Sequence, residues 1–100
     1  MMGADVRHLR RMLHLISGMR AGEYSLVDGA NDLLALRDAL EEFDAFGQGW
    51  FDDFTSHLVT LESAGVTSSG KALLHHRPLA PYVRDALDGL EAMILERLPS

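Results

Sequence analysis

The sequence predicts an all-α fold, an antiparallel four-helix bundle in which residues 1–100 form a single helical domain. Three observations carry that prediction. Apolar residues recur at spacings of three and four along four separate stretches, the pattern that stacks side chains on one face of a helix. Glycine and proline lie between those stretches, where helices stop and start. No run of alternating β-branched residues competes for a strand. At 47% hydrophobic and 24% charged, the chain has the composition of a soluble globular core rather than of a disordered segment.

The first helix is expected from about Asp5 to Met19. Its inward stripe is Val6, Leu9, Leu13 and Ile16, with Asp5 as N-cap and Gly22 as the stop. Arg7, Arg10 and Arg11 fall off that stripe and give the helix a basic outer face. A second helix starts at Leu26, because Ser25-Leu-Val-Asp28 fits a capping box: the serine oxygen accepts from the Asp28 amide while the Asp28 carboxylate reaches back. It runs to about Phe43 or Asp44, with Leu26, Ala30, Leu33, Leu36, Leu40 and Phe43 inward. Asp28, Asp32, Asp38 and Glu42 then fall on the opposite half of the wheel.

Gly47-Gln48-Gly49 breaks that helix, since two glycines close together are costly inside one. A short third helix follows, carried by Trp50, Phe54, Leu58 and Leu61, with Phe51 flanking and Gly65 as the residue after its C-cap. The stretch 66–77 reads as loop, with one helical turn around Ala72–Leu74. Pro78 and Pro81 act as initiators of a last helix whose stripe is Val83, Leu87, Leu90, Ile94 and Leu98, closed by Pro99.

The charge is unevenly spread. Between Glu23 and Glu62 stand ten carboxylates and a single cation, Arg37, in a chain whose net charge is −6. The first 22 residues are basic, and those after Glu62 balance. A field of this kind bears on partners and association rates rather than on fold. The lack of cysteine excludes disulfides and thiolate metal sites and suits a reducing cytoplasm. The basic and then apolar N-terminus is interrupted by His14, Ser17 and Gly18. It reads as an amphipathic helix, not a leader, and no stretch is long enough to span a bilayer. A cytoplasmic protein with no membrane contact is the expectation.

Catalytic and metal chemistry find little support. The five histidines match no ligand spacing, so no metal or cofactor is expected. The serines fall in caps, turns or a helix body, and Gly65-Val-Thr-Ser-Ser-Gly-Lys71 lacks the serine or threonine that ends a phosphate loop. Asp52-Asp53 and Glu41-Glu42 are adjacent exposed acids with nothing to set their roles apart. The chain therefore reads as no enzyme. Three arginines on an acidic protein, without interleaved aromatics, make a poor nucleic-acid footprint, and none is expected to bind there. They read instead as partners for acids of the second or third helix.

Two apolar side chains, Val27 and Leu34, lie beside the acidic face. Either a neighbouring helix covers them, or Leu34 is an apolar anchor ringed by carboxylates. Trp50 is likewise either a core plug or a partly exposed anchor.

The middle of the chain also resembles a known group. Gly22-x-x-Ser25-Leu26, Asn31-Asp32-Leu33-x-x-Leu36-x-x-Ala39-Leu40-Glu41-Glu42, Trp50-x-x-x-Phe54 and Leu61-Glu62 are similar to the pattern of small helical bacterial immunity proteins. Those are encoded beside polymorphic or contact-dependent toxins and include the four-helix colicin-immunity type. The resemblance covers roughly residues 18–62 and rests mostly on cap and core positions. Gly47-Gln48-Gly49 and the 66–77 stretch depart from it. It implies a protein that neutralises a cognate toxin domain. With the charge pattern, it selects a basic, nuclease-like toxin and a contact surface of Asp28, Asp32, Leu34, Asp38, Glu41, Glu42, Asp52 and Asp53. The alternative expectation is a non-catalytic adaptor or structural protein that completes its core as a homo-oligomer, such as a homodimer.

Overall fold

A computed structural model of the chain describes residues 3–41, 46–67 and 80–98. These hold four helices and no strand: α1 (Gly3–Ala21), α2 (Leu26–Asp38), α3 (Gln48–Thr67) and α4 (Pro81–Arg97). Each packs on its sequence neighbours, and α1 closes on α4, so the four form a ring around one core. The all-α four-helix expectation holds. The predicted loop at 66–77 begins later than expected, because Val66 and Thr67 belong to α3; 68–79, with Pro78, lie outside the described residues, as do Phe43, Asp44 and Pro99.

Local chemistry explains most boundaries. The Ser25 hydroxyl accepts from the Asp28 amide at 3.0 Å, which starts α2 at Leu26 as the capping pattern predicts. Gly22 and Gly47 have φ of 80° and 85°, left-handed values that suit glycine, at the exits from α1 and into α3. Pro81 opens α4 at its first position, where a missing N–H costs nothing. Helix α2 ends earlier than expected, at Asp38 rather than Phe43 or Asp44.

Three expectations need correction. The buried stripe of α1 is Leu9, Met12, Leu15, Ile16 and Met19, while the predicted members Val6 and Leu13 are only half-buried. Asp5 is not an exposed cap: it is fully buried within the first turn, and its Oδ1 accepts from the Glu41 amide at 2.8 Å. A buried carboxylate is tolerable when such a bond replaces water. That contact ties the start of α1 to the exit of α2. Finally, α3 is not short and does not stop at Gly65. It is the longest helix, at 20 residues, and Gly65 is buried inside it. A Cβ there would fall 2.7 Å from Val27 Cγ2 and 3.1 Å from the Val27 backbone nitrogen, so α2 and α3 can approach this closely only at a glycine.

The core is continuous, with Phe54, Leu33, Leu61, Leu87, Leu90 and Ile94 fully buried. Aromatic rings gather where α3 begins. Trp50 stacks on Phe54 at 5.1 Å between centroids and leans on Phe46 at 4.8 Å. The Trp50 indole donates to the Met93 carbonyl of α4 at 3.3 Å. With 7% of its surface exposed, Trp50 is a core plug.

Candidate protein-binding surface

The capping of α2 fixes the phase of its outer face. Asp28 stands in the first turn and Asp32 one turn on, both exposed, with Asp38 at the last helical residue and Glu41 just beyond it, also exposed. The inward side of the same helix is Leu26, Gly29, Ala30 and Leu33. The acids therefore fall on the solvent side because the apolar residues occupy the other. Glu42 lies outside the described residues. Val27 is half-buried against Gly65, whereas Leu34 keeps 37% of its surface exposed and stays available to a partner.

The seam between α2 and α3 brings two of the predicted acids together. Asp38 and Asp52 edge a surface cleft of about 250 Å³ floored by Leu40 and Phe51. Arg37 lies along its wall, with 19% of its side chain exposed, donating to Asp38 Oδ1 from Nε at 3.2 Å and from Nη2 at 2.9 Å. Its Nη1 donates to the Thr55 hydroxyl, which in turn donates to the Phe51 carbonyl at 2.9 Å. Asp52 accepts from Gln48 Nε2 at 2.8 Å. Asp53, although adjacent in sequence, projects about 100° away around the helix and does not line the cleft. Both Asp52 and Asp53 are exposed.

Charge compensation follows a different route from the one the sequence suggested. Arg7, Arg10 and Arg11 are exposed, and none forms an ion pair among the described residues. Arg20 is the member of the N-terminal basic group that does pair, and it reaches α4 rather than α2 or α3. Its Nη1 meets Glu91 at 2.9 Å and its Nη2 meets Asp88 at 2.5 Å. The hydrogen bond to Glu91 raises the guanidinium pKa above its ordinary value, against the partial loss of water around it, with Asp88 adding to the effect. The side chains of Asp28, Asp32, Glu41 and Asp53 meet no cation among the described residues.

Sequence reasoning missed the Arg37–Thr55 link and the Arg20 latch. The latter had a signal: Asp88 and Glu91 stand three apart, hence on one face of α4. Nothing in the sequence showed which helix would face them.

Several side chains that could serve other chemistry have structural contacts. Hydroxyls of Ser56 and Thr60 donate to backbone carbonyls one turn back. His57 packs over Gly89, where a Cβ would meet its Nε2 at 2.7 Å. No three of His, Asp or Glu among the described residues converge as a metal set. No described helix is long and apolar enough to cross a membrane. No protein-family model, curated protein or solved structure matches the chain, so any functional reading rests on its own residues.

Proposed function

We propose that the protein is an immunity-type inhibitor without catalytic activity, which binds a cognate toxin domain through the outer surface of α2 and the start of α3. The observation that carries this reading is that the exposed Asp28, Asp32, Glu41 and Asp53 meet no cation among the described residues, while Arg37 is held within the cleft by Asp38 and Thr55. A nuclease-like toxin is basic where it holds phosphates. An acidic blocker associates with such a surface quickly and occupies the place of the nucleic acid. Asp28, Asp32, Asp38, Glu41, Glu42, Asp52 and Asp53 supply the charge, and half-exposed Leu34 supplies an apolar contact of the kind that anchors interfaces. A cytoplasmic location follows from that role.

The adaptor alternative gains less support. It needs one continuous apolar face, yet Tyr82 and Leu95 project about 140° apart around α4. Val59 and Val66 share a face of α3 but are interspersed with Glu62 and Ser63, a small patch of the kind ordinary on a monomer. The test is stopped-flow binding to the protein encoded by the neighbouring gene. The association rate should fall at least about tenfold from low to physiological salt, and Asp38→Lys with Asp52→Lys should slow it further. Absence of a complex at micromolar concentration, or indifference to both substitutions, would remove the proposal.

A further inference from the structure

We infer that the side of the bundle formed by α1 and α2 is a self-complementary docking surface for a second copy of this chain. On α1, Arg7 and Arg11 share a stripe with Gly18, whose Cβ position is covered by Tyr24 of the α1–α2 connection at 2.4 Å. That stripe therefore borders α2. On α2, Asp28, Asp32, Ala35 and Ala39 recur at helical spacing, and all four are exposed. They flank Gly29, which is buried against Met19 of α1. The two stripes thus lie side by side on one outer face.

Their register makes that face polar along its length. Asp5 meets Glu41 at one end of the helix pair, and Met19 meets Gly29 at the other. Arg7 and Arg11 are therefore level with the C-terminal end of α2, beside Ala35 and Ala39. Asp28 and Asp32 stand about 12 Å away along the axis, at 1.5 Å per residue. One end of the face carries two guanidiniums and the other two carboxylates, and none of the four is in an ion pair among the described residues.

A copy rotated by 180° about an axis that lies in the face, perpendicular to the line from the arginines to the aspartates, sets its arginines over these aspartates, and its aspartates over these arginines. The interface is then closed and isologous. Small side chains at Ala35 and Ala39 let the helices come near. A polyanion fits this face poorly, because the aspartates beside the arginines repel it in a chain already at −6. Four exposed ion pairs hold weakly, so the dimer is transient and salt-sensitive.

Sedimentation velocity across a concentration series tests this on the full chain. A monomer–dimer equilibrium is expected at about 20 mM salt, weakened at least about tenfold at about 500 mM. R7E/R11E and D28K/D32K should each weaken it about tenfold, and the fourfold variant carrying all four reversals should restore it, because the face becomes complementary again. Ala35→Trp, beside the two-fold axis, should also weaken it without changing charge. Circular dichroism confirms that each variant is folded. A strict monomer at low salt overturns the inference, as does a fourfold variant no better than its parents or association that survives Ala35→Trp. R7E/R11E and Ala35→Trp leave every carboxylate proposed for the toxin in place, so in these two variants toxin binding is read separately from self-association.

Discussion

The α1–α4 seam and the α2–α3 seam each hold one arginine near a helix end and use it differently. Arg20 crosses to a second helix and takes two carboxylates there, Asp88 and Glu91. Arg37 turns to its own neighbour, Asp38, and crosses to α3 only for the neutral hydroxyl of Thr55. The first arrangement cancels charge between helices and leaves a quiet surface. The second spends the cation locally, so that Asp52 and the acids along α2 still face solvent. The number of arginines does not decide how acidic a surface is; where each guanidinium finds its oxygen does.

Substitutions on the two sides should separate these behaviours. The largest effect is expected from Phe54→Ala, which empties a fully buried ring position stacked on Trp50. It should cost about 3–5 kcal/mol in denaturant unfolding, and a loss below about 1 kcal/mol would mean that the rings gathered around α3 are not part of the shared core.

Next come two glycines whose neighbours differ in rigidity. At Gly65 an added Cβ meets the Val27 backbone, whereas at Gly89 it meets only the His57 ring, which can swing aside. Gly65→Ala should lose about 1–3 kcal/mol through overpacking. Gly89→Ala should be close to neutral, because alanine gains about 1 kcal/mol of helix propensity over glycine. Equal effects in thermal unfolding would show that the two contacts are equally stiff.

The smallest effects test the arginines themselves. Arg37→Ala should cost about 1–2 kcal/mol, because it also strips the Thr55 hydroxyl of a partner. Arg20→Ala should cost under about 1 kcal/mol, since its ion pairs are more exposed. High salt should erase the Arg20 effect and leave much of the Arg37 effect. The reverse order would overturn the contrast between the seams. Arg37→Ala should also speed association with a basic partner, because it removes a cation that lines the cleft.

How far the sequence could be read depended on the range of the interaction. The Ser25 cap, the Pro81 start and the inward positions Leu26, Ala30 and Leu33 of α2 and Val83, Leu87, Leu90 and Ile94 of α4 are local, and the structure bears them out. The phase of α1 was less legible. Its inward side uses Met12 and Met19, and it includes Asp5, a charge whose burial depends on an amide 36 positions away. Gly65 misled for a similar reason: a glycine near a helix end looks like a stop, and only the approach of Val27 shows why it lies inside one. On the surface, periodicity placed Asp28, Asp32 and Asp38 outward correctly. It could not pair Arg20 with residues 68 and 71 positions away, nor separate Asp52 from Asp53 as members of the cleft.

The indole of Trp50, bonded to α4 through Met93, gives the molecule a built-in optical gauge. It is the only tryptophan in the chain and lies on the opposite side of α3 from Asp52. Its emission therefore reports whether α3 is seated on α4, and a ligand arriving at the carboxylates of α2 should leave that colour unchanged unless it pries the helices apart.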